Sequence, residues 1–150
     1  MPISPSLTPA RQIPYFSSGV YPKVTATTLV ASTGTGVVTL TAAQLLNGLL
    51  LVDCQNAQTM NLPTAAQLNT ALPGLAVGTA VSLDVINHGA ATLTIGLGTG
   101  IAQVTVASVK GVLTIATLSS KRFLLVCTNA TPGAEAWNVH AFGSIAAAVA

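Results

Sequence analysis

The side chains that could carry catalysis or bind a metal are few: Asp53, Asp84, Glu135, His88, His140, Cys54 and Cys127. Paired carboxylates, or a histidine beside a nucleophile, would serve acid–base work. Their sequence settings point elsewhere. Asp84 falls on the polar face of the alternating run Ala80-Val81-Ser82-Leu83-Asp84-Val85-Ile86, His88 sits in an Asn87-His88-Gly89 turn, and His140 alternates with Val139 near the end of the last predicted strand. No CxxC occurs and neither histidine stands at ligand spacing from a cysteine, so a zinc site has no support. Cys54 and Cys127 each lie in an apolar run and read as buried thiols, with pairing left open. Gly96-Leu97-Gly98-Thr99-Gly100 looks superficially like a phosphate-cradling loop. Such a loop must open a helix, whereas residues 101–106 alternate as a strand, so a tight turn is the reading. The expectation is a chain with no catalytic residue, no cofactor and no metal.

The charge content governs what remains. Five basic and three acidic side chains make up 5% of the chain, against about 25% in ordinary globular proteins, while 51% of it is apolar. A surface so poor in charge suits permanent contact with other subunits better than a free monomer. A membrane span is excluded by run length, because the densest apolar stretch, Gly48 to Val52, stops at Asp53, far short of the roughly 20 residues required. Met1-Pro2-Ile3-Ser4-Pro5 has neither a basic region nor an apolar core and does not read as a secretory signal. The cations are scattered, with only Lys121 and Arg122 adjacent, so nucleic-acid binding by charge neutralisation is not expected.

The elements that must position these residues fall into three zones. Residues 1–23 hold five of the eight prolines, at positions 2, 5, 9, 14 and 22, and are expected to form an extended arm without a core of its own. Its apolar side chains Ile3, Leu7, Ile13, Tyr15, Phe16 and Tyr21, with the cations Arg11 and Lys23, are the candidate partner-binding residues. Residues 24–142 form the body, and 143–150 a small-residue tail. Within the body, period-2 alternation predicts strands over 24–30, 36–40, 49–54, 80–86, 92–95, 101–106, 111–117, 123–128 and 136–142. Turn chemistry separates them at Asn87-His88-Gly89 and Thr131-Pro132-Gly133. The formal sequon Asn129-Ala130-Thr131 reads as part of that second loop. So many short strands predict an all-β fold, an antiparallel β-sandwich or jelly-roll-like barrel. A β-solenoid is set aside because no fixed repeat period is found.

Two short helices interrupt the strands. The identical pentapeptides Thr41-Ala42-Ala43-Gln44-Leu45 and Thr64-Ala65-Ala66-Gln67-Leu68 are both T-x-x-Q capping boxes, with Leu40 placed to staple the first and Pro63 and Pro73-Gly74 bounding the second. Because the flanking segments do not align, the repeat reads as local capping used twice. Trp137, the single tryptophan, reads as a core or subunit-interface anchor.

Leu40-Thr41-x-x-Gln44-Leu45, Asn61-Leu62-Pro63-Thr64-Ala65, Gly78-x-x-Val81-x-Leu83-x-Val85-Ile86-Asn87-x-Gly89 and Phe123-Leu124-x-Val126 with Trp137 together resemble small β-rich virion proteins of tailed bacteriophages. That group includes capsid decoration or cement proteins and head-fibre-associated proteins. The resemblance spans most of 35–142 and is one of pattern and composition. It implies a capsid-surface subunit, commonly a homotrimer, made in the host cytoplasm and clamping neighbouring major capsid proteins or other virion proteins. The arm and tail lie outside it. The alternative is a tail-fibre or receptor-binding β domain recognising a host-surface glycan.

Overall fold

A computed structural model gives the fold and describes residues 25–29, 36–106, 109–110, 112–143 and 145–146. The chain runs β1 (Thr25–Leu29), β2 (Val37–Thr39), α1 (Ala42–Leu46), β3 (Gly48–Val52), β4 (Gln58–Asn61), α2 (Ala65–Ala71), β5 (Ala80–Asn87) and β6 (Leu93–Gly96). There follow β7 (Ile101–Gln103), β8 (Thr105–Val106), β9 (Val109–Lys110), β10 (Thr114–Ile115), β11 (Ser119–Asn129), β12 (Ala136–Ala141) and β13 (Ile145–Ala146). The β-rich character and the two short helices agree with the sequence pattern.

The strand directions do not. The larger sheet has the order β1-β3-β5-β11-β12-β7, with β13 pairing β11 beyond β12, and the smaller has the order β10-β6-β4-β2. β1, β3 and β5 are mutually parallel, and so are β2, β4 and β6. β11 lies antiparallel to both of its neighbours in the sheet, β5 and β12, and β7 returns parallel to β12. Both sheets are therefore mixed and neither closes a barrel, which corrects the antiparallel sandwich or jelly roll. Alternation reports which face a side chain takes and carries no information on strand direction.

From β1 to β6 the chain alternates between the larger and the smaller sheet, and its two full circuits each add a parallel strand to both. This is a short solenoid winding, the arrangement that the missing period argued against. The period is hidden because the circuits differ in length: Thr25 to Gly48 is 23 positions, whereas Leu49 to Asp84 is 35. In the smaller sheet Val37 to Thr59 is 22, and Thr59 to Thr94 again 35. The two Thr-Ala-Ala-Gln-Leu segments are equivalent corners of successive circuits, one following β2 and the other β4, and α1 packs against α2.

Each corner is built as its sequence requires. Thr41 takes an extended backbone, its hydroxyl accepts the Gln44 N–H at 3.2 Å, and its own N–H donates to Gln44 Oε1 at 2.8 Å. Thr64 and Gln67 repeat the exchange at 3.2 and 2.9 Å. Leu45 and Leu68, one residue past each box, are fully buried. The glycine-rich segment 96–100 is a packing device: the Thr99 carbonyl accepts the Ala65 N–H at 2.9 Å, and a Cβ at Gly98 would run into the Pro63 carbonyl. It connects β6 to β7 and opens no helix, as the alternation of 101–103 indicates.

One core fills the space between the sheets, with Leu50, Val52, Leu83, Val85, Phe123, Leu125, Trp137 and Val139 from the larger and Met60, Leu93, Ile95 and Ile115 from the smaller. Trp137 is wholly buried, which fixes it as a core anchor. Lys121 is the exception on this inward face. It is 5% exposed, and Nζ donates to the carbonyls of Val112 at 2.6 Å and Thr114 at 2.8 Å, tying β11 to the segment around β10. Burial lowers its pKa from the ordinary 10.5, so the folded state binds fewer protons than the unfolded chain just below that value. Stability contributed by this residue accordingly rises as pH climbs through the depressed folded value towards 10.5. Lys121→Met should remove that part of the pH dependence and leave two carbonyls unpaired, at about 1–3 kcal/mol for each that stays buried. Urea unfolding of both proteins across alkaline pH measures it; identical slopes would show that Lys121 is not desolvated.

Candidate functional site

The residues singled out for chemistry are not gathered by the fold. Asp84 projects from β5 on the outer face of the larger sheet and meets Arg122 of β11, its register partner. The two form a bidentate pair, Arg122 Nε to Asp84 Oδ1 at 2.7 Å and the second guanidinium nitrogen to Oδ2 at 2.8 Å. The carboxylate raises the Arg122 pKa further, first through the hydrogen bond and then through its charge. Asp53 lies at the end of β3 and accepts from Gln55 Nε2 at 2.6 Å. His88 is exposed at the β5–β6 corner, and His140 is half-buried on β12 opposite Leu124. Among the described residues no group of three His, Cys, Asp or Glu side chains could hold a metal.

Cys54 and Cys127 are both buried and free, so the open question of pairing closes in favour of thiols. Burial, reinforced by the Asp53 charge, pushes the Cys54 pKa up, and its Sγ lies 3.9 Å from Gln58 Oε1. A buried thiol held protonated is a packing group and a poor nucleophile.

What the outer face of the larger sheet offers is a groove of about 650 Å³, lined by Leu49, Asp84, Ile86, Ser120, Arg122 and Phe142. Ile86 and Phe142 are 37% and 50% exposed. The ion pair crosses this surface with both charges mutually neutralised, and around it the lining is apolar or small apart from Lys121, whose amine is engaged by the Val112 and Thr114 carbonyls. Such a surface is suited to contact, with the Asp84–Arg122 pair giving it polarity and direction. Alternation identified Asp84 as outward, but not its partner: Arg122 became legible only when β5 and β11 were seen to pair. Phe142, taken as the end of a strand, lies just beyond β12.

The candidate partner-binding residues Ile3, Leu7, Arg11, Ile13, Tyr15, Phe16, Tyr21 and Lys23 lie outside the described residues. Among the described residues no helix is long and apolar enough to cross a membrane. No protein-family model, curated protein or solved structure matches the chain.

Proposed function

We propose that this chain is a structural virion protein, a decoration or cement subunit that attaches to a capsid surface through its N-terminal arm and sheet edges. The observation that carries the reading is the near absence of charge over the whole chain, joined to an outer sheet face on which Leu49, Ile86 and Phe142 surround one neutralised ion pair. Such a subunit gains its hold from apolar and backbone contacts, multiplied by symmetry when several arms engage at once. The role needs no catalytic residue and no cofactor. Its partners are the major capsid protein or another virion protein, and copies of itself as a homotrimer. An obligate oligomer also hides the sheet edges that an uncharged β protein can least leave open.

Light scattering of the purified protein at micromolar concentration should give the mass of three subunits, with little dependence on salt because few charges are present to be screened. Co-sedimentation with capsid shells lacking this protein tests attachment. Full-length Ile3→Asp and Leu7→Asp should stay folded by circular dichroism and lose at least tenfold in binding. A monomeric mass together with undiminished binding of both variants would overturn the proposal.

A second reading, a receptor-binding domain for a host-surface glycan, is favoured by one feature: Phe142 beside the planar Asp84–Arg122 pair combines an aromatic face with hydrogen-bonding groups. Arg122→Ala would abolish glycan binding on that reading. On the first it should weaken co-sedimentation with shells far less than Ile3→Asp or Leu7→Asp, because attachment rests mainly on the arm and sheet edges.

A further inference from the structure

The two sheets turn unlike faces outward. On the smaller sheet Val37, Thr59, Thr94 and Thr114 stand side by side across β2, β4, β6 and β10, with Thr39, Asn61 and Gly96 in the next row. Apart from Val37 every side chain in these rows is polar or absent, a face made for water. On the larger sheet the outward rows are Leu51–Ile86–Ser120, Leu49–Asp84–Arg122 and Ser82–Leu124–His140, carried by β3, β5, β11 and β12. Leu49, Leu51 and Leu124 are half-buried and Ile86 is exposed. Phe142, whose N–H donates to the Arg122 carbonyl, lines the same groove and is exposed as well. Aliphatic and aromatic side chains gathered on an outward face mark a surface that another molecule covers.

We propose that this face joins copies of the chain to one another, the outer surface of the larger sheet in one copy packing on that of the next. Charge selects the occupant. Asp84 and Arg122 cancel, so the groove holds no net charge to attract an acidic or a basic partner. What fits it is an apolar surface carrying an acid–base pair of its own, and a second copy presents one. Among the described residues the bidentate bond uses two of the guanidinium's five N–H groups, and the Arg122 and Asp84 side chains remain 63% and 39% exposed. Donors and acceptors left over on one copy therefore meet their complements on the next, Arg122 against Asp84 and Asp84 against Arg122. The pair sets the register of the contact, while burial of Leu49, Ile86 and Phe142 around it holds the copies together.

This inference rests on the homotrimer of the reading above and assigns its contact surface. In a closed ring the contact is heterologous, and every carboxylate meets the guanidinium of a neighbour, so no charge is left unanswered anywhere around the ring. The self-contact takes a different part of the chain from Ile3, Leu7 and the other residues proposed for attachment. The two properties can therefore be broken separately.

The test follows the mass of the full-length chain by light scattering over a dilution series, with circular dichroism to confirm folding. Ile86→Asp and Phe142→Asp should each raise the concentration needed for assembly at least tenfold. Val37→Asp, which replaces an exposed apolar residue on the outer face of the other sheet, should leave it unchanged. Asp84→Arg and Arg122→Asp should each dissociate the oligomer by setting like charges across the contact, and the double exchange should restore the parent mass. Folded Ile86→Asp or Phe142→Asp protein that assembles like the parent would overturn the proposal while leaving the virion reading in place. The same variants keeping the parent mass but losing co-sedimentation with shells would give this face to the capsid protein and overturn self-contact. A monomeric parent would overturn this inference and the homotrimer together, and shell binding lost in Ile3→Asp would then still uphold attachment.

Discussion

Trp137→Ala should lower unfolding stability by about 3–5 kcal/mol, the range for deleting a large aromatic from a packed core. The indole is wholly buried on β12, between Cys127 of β11 and Ile101 of β7 in the sheet register. Its Nε1–H donates to Asn69 Oδ1 of α2 at 2.8 Å, and its backbone N–H to the Gly100 carbonyl at 2.9 Å. One side chain thus joins the helix of the second circuit, the loop leaving the winding and the antiparallel half of the larger sheet. Trp137→Phe separates the contributions. It keeps most of the apolar volume and removes the indole donor, so the cost should fall to roughly 1–2 kcal/mol. Urea unfolding followed by far-ultraviolet circular dichroism reads both variants. A loss below about 1 kcal/mol for the alanine variant would mean that the helix and sheet do not share this anchor.

How much of this was readable in the sequence depends on which physical signal each feature leaves. Both helices were legible because a capping box is a local chemical statement: Thr41 with Gln44, and Thr64 with Gln67, satisfy their own backbone donors within four residues. Alternation predicts most of the strands but not β4. Gln58-Thr59-Met60-Asn61 alternates, but Gln58 is a buried polar residue where an apolar one is expected. The run 101–106 breaks at Val104, whose N–H turns to the Val139 carbonyl, and within 111–117 the strand among the described residues is Thr114–Ile115. The winding was not legible because its two circuits differ by a dozen residues, carried by a longer α2 and the 72–79 connection.

The candidate site was legible only by subtraction. Sequence places Asp84 on the polar face of a strand and His88 in a turn, and the structure has Asp84 on the outer face of β5 and His88 exposed just after it. The pairing of Asp84 with Arg122 is a long-range event, 38 positions apart, that no local rule anticipates. The Lys121 amine is a nearer case, its partners nine and seven positions back, but they are backbone carbonyls and leave no mark in the sequence.

Asn87 illustrates the opposite case, a residue read as turn chemistry that does much more, and its replacement should be the most damaging polar change in the described body. It ends β5 with no exposed surface. Its Oδ1 accepts the Gly89 N–H at 3.1 Å, the local turn bond expected of Asn-x-Gly. Its Nδ2 donates to the carbonyls of Ala91 at 2.8 Å, Ala116 at 3.1 Å and Ile115 at 3.3 Å, two hydrogens shared among three acceptors. The corner so fixed lies directly on the preceding circuit: the His88 N–H reaches the Val52 carbonyl, the Ala91 N–H the Cys54 carbonyl, and a Cβ at Gly89 would run into the Cys54 backbone. Asn87→Ala removes the donor from buried carbonyls, at about 1–3 kcal/mol for each left unpaired, and should cost about 3–5 kcal/mol in all. Asn87→Asp should be worse at neutral pH despite its nearly identical shape, because it turns a carboxylate towards three carbonyl oxygens with no donor to offer them. Protonation would restore one donor, so the deficit of the aspartate variant should shrink as pH falls through its raised pKa. Thermal unfolding at neutral and mildly acidic pH decides the matter: an aspartate variant as stable as the parent at neutral pH would show that this corner is open to water.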